Sequence, residues 1–266
     1  ANGISDFKLP EHFDFLNVSE DGKILATNYK DTLLIGNEEL KINDVVIAAS
    51  LKDDKLALVY SNNTIELIDR TNNKTLFKEY QPISLANDTR VANPHFMGNL
   101  ILFPTLNGKV IIVSKLSNEA VKNISVDPDG EFNNIIFLDV IKDLQTLIVA
   151  TPNKIVSISP QEIIAKDYEL RDILVNGKDV YIGTIDGQIK KLTANLEEVA
   201  KTKFKYSKFF SLAFTDSLYA IESQGYIIKL NNDLTSNKVY DFDFNNEKRL
   251  LVIDNKVYNE EEITLP

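Results

Sequence analysis

Arginine is the scarcest charge in this 266-residue chain, and three of its four copies, Arg90, Arg171 and Arg249, fall at or just before apolar runs that read as strands. A guanidinium presents a rigid fork of donors that grips a carboxylate or small anion through paired hydrogen bonds. Arg171 and Arg249 each precede a lysine by seven residues (Lys178 and Lys256), which makes them equivalent positions of a repeat. Three such groups around one opening would receive the carboxylate of a partner peptide or a small anion. The competing reading pairs each with a nearby carboxylate such as Asp88, Asp172 or Glu247. His95, which follows Arg90 into the same strand, joins Arg90, Arg171 and Arg249 as a candidate partner-binding residue.

Other chemistries find less support. A Ser-His-Asp hydrolase needs a histidine between nucleophile and carboxylate; the two histidines, His12 and His95, have no nucleophile elbow near them, so no catalytic residue is assigned. In Asp127-Pro128-Asp129-Gly130-Glu131 the glycine is fourth, where a calcium loop of the EF-hand type has it sixth, so a plain turn is the better reading. Asp139, Asp172, Asp254, Asn17 and Asn176 are calcium ligands in type, but their positions do not match from copy to copy. No metal and no cofactor is assigned. A net charge of −10 with scattered lysines lacks the basic footprint of a nucleic-acid binder. The absence of cysteine excludes disulfides and thiol chemistry and suits an exported bacterial protein. No apolar run reaches membrane-spanning length. The chain starts at Ala1 with Met97 as its only methionine, and the expectation is a removed start methionine, with or without a leader.

These side chains must be positioned by short strands. Paired β-rich runs recur at 24–35, 56–68, 100–113, 147–158, 180–192, 218–230 and, degenerately, 256–265. Their spacing averages about 38 residues, that of a four-stranded propeller blade. An apolar run precedes each, as a strand covered on both faces requires. An aromatic between charges follows several, as at Phe77, Phe204 and Phe242, which suits an outer edge. The pattern predicts an all-β fold: one domain over 1–266, a seven-bladed β-propeller with four-stranded antiparallel blades. Ser5-Asp6-Phe7-Lys8-Leu9 has the outer-strand pattern, so residues 3–9 are expected to complete the last blade and close the ring.

The stretch Val180-Tyr-Ile-Gly-Thr-Ile-Asp-Gly-Gln-Ile-Lys-Lys-Leu192, with looser copies at Asn107-Gly108 and Ser223-Gln224-Gly225, resembles the repeat of the PQQ-like β-propellers. Their outer strands usually carry a docking tryptophan; this chain has none, and Phe77, Phe204 and Phe242 stand in for it. The quinone-dependent enzymes of that family resemble longer, eight-bladed rings with adjacent cysteines, so their chemistry is disfavoured here. The resemblance is to the BamB-like, non-enzymatic branch. It implies a protein-interaction scaffold that binds extended segments or a partner protein at the channel mouth. The implied partners are outer-membrane assembly components, with the chain a periplasmic monomer that a lipid on a preceding cysteine could anchor. A calcium-dependent propeller hydrolase or lactonase is the alternative, and both readings stay open at this point.

Overall fold

Strands of this chain differ in burial, and the difference follows from what covers each face. The computed structural model describes residues 9–82, 90–128, 130, 133–242, 251–253, 256–258 and 262–266. Among them, strands with nearly every side chain buried, such as Lys55–Tyr60 (KLALVY), lie in the middle of a sheet with packing on both faces. Strands of alternating or wholly exposed polar pattern, such as Glu119–Ser125 (EAVKNIS), lie at an edge.

The chain divides into two compact units, 1–138 and 139–266. The first holds three antiparallel sheets, each a four-stranded meander in chain order. They are β1 (Asp14–Val18), β2 (Ile24–Thr27), β3 (Thr32–Ile35) and β4 (Glu38–Lys41); β5 (Val46–Lys52), β6 (Lys55–Tyr60), β7 (Thr64–Asp69) and β8 (Lys74–Tyr80); β9 (His95–Met97), β10 (Leu100–Pro104), β11 (Lys109–Ser114) and β12 (Glu119–Ser125). The fourth sheet begins at the boundary with β13 (Phe137–Ile141) and continues, after a short 3-10 turn, with β14 (Thr146–Ala150), β15 (Lys154–Ile158) and β16 (Ile163–Asp167). The second unit goes on with β17 (Leu170–Asn176), β18 (Asp179–Thr184), β19 (Gln188–Leu192) and β20 (Glu198–Lys203), then β21 (Phe209–Phe214), β22 (Leu218–Glu222), β23 (Tyr226–Leu230) and β24 (Asn237–Asp241). A last sheet is present as three strands, β25 (Leu251–Ile253), β26 (Lys256–Tyr258) and β27 (Glu262–Thr264). Among the described residues, six sheets therefore carry the expected four strands and one carries three. The strand expected to close it, residues 3–9, lies outside the described residues but for Leu9. Among the described residues no helix is long and apolar enough to cross a membrane.

Within each four-stranded sheet the ladder between the third and fourth strands runs one bond past the strand ends, into the preceding hairpin turn. Ile42 N–H donates to Asp31 O at 2.8 Å, and Gln81 to Asn63 O at 3.2 Å. Val126 donates to Gly108 O at 2.8 Å and Tyr168 to Asn153 O at 3.1 Å. Phe204 donates to Gly187 O at 2.8 Å and Phe242 to Gly225 O at 2.7 Å. Two copies add the same side-chain lock: the Thr184 hydroxyl donates to Asp186 Oδ1 (2.6 Å) and accepts from Gln188 N–H, and Thr105 does likewise with Asn107 and Lys109. This is the physical content of the Thr-x-Asx-Gly pattern.

Sheets within a unit are joined by apolar clusters and by polar braces. Leu16, Leu25 and Leu33 of the first sheet pack with Val46, Leu56 and Leu58 of the second, and Phe77 meets Phe103 across the second and third, centroids 6.2 Å apart. In the second unit Phe204 meets Phe209 edge-on at 6.2 Å, and Phe242 packs with Tyr219 and Val257. All three phenylalanines thus sit where the missing tryptophan was expected to dock. Asn17 Nδ2 donates to Ala49 O (3.0 Å) and Ser50 Oγ (2.9 Å). Asn93 donates to Leu16 O (2.8 Å) and accepts from Ala49 N–H (3.1 Å). Asp172 Oδ2 accepts from Leu212 N–H at 2.6 Å.

Gly187 and Gly177 separate the two demands on a turn glycine. Both have positive φ, +79° and +59°, but a Cβ on Gly187 would lie 2.2 Å from Phe204 O, whereas one on Gly177 meets nothing within 4 Å. Gly177→Ala should cost about 1–2 kcal/mol for its left-handed backbone alone. Gly187→Ala should exceed that by about 2 kcal/mol or more, because the outer strand must move. Urea unfolding midpoints check the order; equal losses would show that the ladder extension bears no strain.

Candidate functional site

Strand β7 (Thr-Ile-Glu-Leu-Ile-Asp) alternates faces, as any strand must. Ile65 and Leu67 pack in the cluster shared with the third sheet, and Ile68 packs against the cluster shared with the first. By that alternation Glu66 faces the same way as Ile68. Counting three residues on from the turn residue that extends each ladder, the positions equivalent to Glu66 are Leu34, Ile111, Val156 and Ile228, all buried aliphatics, and Lys190. A carboxylate that is only 5% exposed therefore stands where packing alone would put an aliphatic side chain. Burying a charge costs free energy unless it is paired and hydrogen-bonded.

Glu66 is so paired. The Tyr60 hydroxyl donates to Oε2 at 2.6 Å, the Thr75 hydroxyl to Oε1 at 2.6 Å, and Lys78 Nζ reaches Oε2 at 3.2 Å. Burial first, then the hydrogen bond to Glu66, pushes the Tyr60 phenol far up, so it remains a donor at any physiological pH. Lys78 Nζ lies 5.5 Å from the Tyr60 ring centroid and 5.9 Å from that of Tyr80. A cavity of about 330 Å³ opens beside this group. Leu40, Ile42 and Ile68 give it apolar wall, and Asp44, Asn73 and Thr75 give it polar wall. With both Glu66 oxygens engaged by hydroxyl donors, the arrangement is built to hold a positive charge.

The fifth sheet carries the inverse at Lys190. Its ammonium contacts Glu198 Oε2 at 2.6 Å and lies 5.6 Å from the Tyr168 ring centroid. Lys190, then Lys201, holds the Glu198 carboxyl down at about 2.

The residues singled out by sequence fall elsewhere. Arg90 is half-buried ahead of β9, and its carbonyl accepts from Asn134 Nδ2 at 2.6 Å. His95 opens β9 and is half-buried. Both belong to the first unit. Arg171 belongs to the second, exposed in β17 at the register shift between Leu170 and Asp172. The same shift in β1, β5 and β21 presents Leu16, Ile47 and Phe210. A bulge re-aims one side chain, and here alone among those four it presents a charge. Arg249 and Asp254 lie outside the described residues. Two of the calcium-type side chains, Asn17 and Asp172, are the braces described above, and Asp139 Oδ1 accepts from Val140 N–H at 2.7 Å. Among the described residues no group of three or more His, Cys, Asp or Glu is placed to hold a metal.

Sequence reasoning passed over Tyr60, Glu66 and Lys78, although a lone Glu in an otherwise apolar third strand was the signal. It also passed over a difference among the outer strands. Register shifts interrupt β8, β12 and β20, but β16 and β24 pair without interruption while exposing Ile163 and Val239 by 70% and 51%.

No protein-family model matches the chain. It is 30% identical over 205 residues to the plasminogen-binding protein PgbB of Helicobacter pylori strain J99, covering 76% of this chain and 38% of that protein. The PgbB of strain 26695 gives 30% over 204 residues, 76% of this chain and 37% of the relative. The chain thus spans under two fifths of these curated relatives. Among solved structures it is similar to BamB from Moraxella catarrhalis, with a TM-score of 0.74 and 15% identity, covering 92% of this chain and 80% of that one. A chain of the mitotic checkpoint complex gives a TM-score of 0.68 at 11% identity, covering 98% and 91%. At these identities the likeness shows the fold, a BamB-like propeller fold, and nothing of its use.

The Glu198 pairing has a pH consequence. A carboxyl lowered from 4.5 to about 2 on folding adds stability at pH above 4.5, and that contribution is lost as the pH falls toward 2. Glu198→Gln should therefore flatten the acid limb of a stability-against-pH curve between about pH 4.5 and 2. Parallel curves for the two proteins would contradict the pairing.

Proposed function

We propose that the chain is a non-enzymatic protein-binding module of propeller fold, with plasminogen as the partner to test first. The observation that carries the reading is the 30% identity to a plasminogen-binding protein along 76% of this chain. Plasminogen is extracellular, so on this reading the chain works outside the cytoplasm. The periplasmic, lipid-anchored, monomeric role in outer-membrane assembly rests on the BamB-like fold alone and is the second reading, because one fold hosts many functions.

An extended partner segment needs a regular, accessible edge to pair with. The uninterrupted outer strands β16 and β24 offer that within the second unit, each with an exposed aliphatic beside the unpaired backbone. Register shifts like those of β8, β12 and β20 discourage such pairing. Arg90 and His95 in the first unit and Arg171 in the second are proposed as polar contacts to the same partner.

Biolayer interferometry of the purified chain against plasminogen, with albumin as control, tests this. Saturable binding to plasminogen alone is expected, weakened tenfold or more in the Ile163→Asp/Val239→Asp double variant. Plasminogen binding no stronger than albumin would overturn the reading, and full binding by a folded double variant would remove the edge strands from it.

A further inference from the structure

We propose that the Glu66 pocket recognises a primary alkylammonium group, and that this chain's own Lys78 occupies the place of that group in the free protein. The inference stands on the pocket alone and does not rest on the plasminogen reading.

Three features select the ligand class. The carboxylate is fixed: Tyr60 and Thr75 each donate to one oxygen at 2.6 Å, and the Glu66 side chain is only 7% exposed. Hydroxyl donors on both oxygens leave an acceptor suited to N–H groups and a poor one for a metal, which would compete with those donors for lone pairs. The second feature is aromatic: the rings of Tyr60 and Tyr80 lie within 6 Å of the present ammonium, the distance at which a cation is attracted to a ring face. The third is apolar: Leu40, Ile42 and Ile68 line the same cavity and offer a bed for a methylene stem.

Charge and exposure say why Lys78 is a replaceable occupant. The pocket wall carries two carboxylates, Asp44 and Glu66, and two ammonium groups, Lys41 and Lys78. Lys41 is engaged away from Glu66, with Asp31 Oδ2 at 3.3 Å and the Thr32 hydroxyl at 2.8 Å. Lys78 holds Glu66 at 3.2 Å, longer than either hydroxyl contact, and its side chain is 32% exposed where its partner is buried. A buried acceptor and a partly exposed donor make an asymmetric pair: the Lys78 ammonium can reach water when an incoming ammonium takes its place on Glu66, whereas the Glu66 carboxylate cannot. About 330 Å³ of adjoining space can take an incoming side chain or small amine. The ammonium could come from a lysine side chain of a polypeptide or from a free alkylamine, and the recognition chemistry is the same.

Lys78→Met keeps the stem and removes the internal ammonium. Calorimetric titration of this variant with n-pentylammonium and with Nα-acetyl-lysine methylamide should show saturable binding at least tenfold tighter than to the unsubstituted protein. n-Pentanol should not bind, and the Glu66→Gln/Lys78→Met double variant should lose binding. Preference for the lysine derivative points to a polypeptide ligand, and preference for pentylammonium to a free amine. A folded Lys78→Met chain that binds neither better than the unsubstituted protein overturns the proposal. If Lys78→Met does not fold, NMR of the unsubstituted protein decides: Tyr60 and Lys78 resonances should move saturably with pentylammonium and not with pentanol, and unmoved resonances overturn it.

Discussion

The rest of each sheet depends on one backbone hydrogen bond, from the residue just after the outer strand to the carbonyl of a hairpin-turn residue. Phe204 to Gly187 and Phe242 to Gly225 show it most plainly. Without it the outer strand would be held only along its own few residues and the turn only by its local bonds, such as Gly187 N–H to Thr184 O and Gly225 N–H to Glu222 O. With it the turn carbonyl is satisfied and the register between third and fourth strands is pinned at the turn end, as far as the register shifts that interrupt β8, β12 and β20. The third-strand aliphatics Leu33, Ile65 and Ile111 take their places in the core clusters in keeping with that register.

Polar side chains have two distinct employments in this chain. Near the first strands they brace one sheet to the next, as Asn17, Asn93 and Asp172 do by bonding neighbouring backbone. The oxygens that a calcium site would draw on are hydrogen-bonded to backbone, Asn17 Oδ1 accepting from Val18 N–H at 2.9 Å and Asp172 Oδ2 from Leu212 N–H at 2.6 Å, so these residues of the right type serve structure. Toward the outer strands, at Glu66 and Lys190, a charge replaces an aliphatic residue and is matched by partners of opposite sign and by an aromatic ring. Sites that depart from packing logic are where function is best sought.

What could be read from the sequence was what local chemistry determines. The hairpins at 56–68, 180–192 and 218–230 were legible because period-two alternation and the turn residues Asn62-Asn63, Asp186-Gly187 and Gln224-Gly225 act within a dozen residues. The outer phenylalanines were legible as substitutes for tryptophan because an aromatic between charges has only one buried face to fill. A bulge leaves no trace in such a pattern: Arg171 reads as a charge just ahead of an apolar run, and only the register shift shows that it occupies the position of Leu16, Ile47 and Phe210. Glu66 was visible, but its meaning depends on Tyr60, Thr75 and Lys78, which the sheet brings to it from both neighbouring strands. The closing strand at residues 3–9 and Arg249 remain expectations of the sequence alone.

The ladder extension is open to direct measurement by amide hydrogen exchange. The N–H groups of Ile42, Gln81, Val126, Tyr168, Phe204 and Phe242 all lie beyond the last residue of an outer strand, where an unbonded amide would exchange as a loop does. If their bonds to the turn carbonyls hold each four-stranded sheet, these six should be protected as strongly as those amides of β4, β8, β12, β16, β20 and β24 that face the third strand. Exchange at the rate of the exposed turn residue Asn72 would contradict the account.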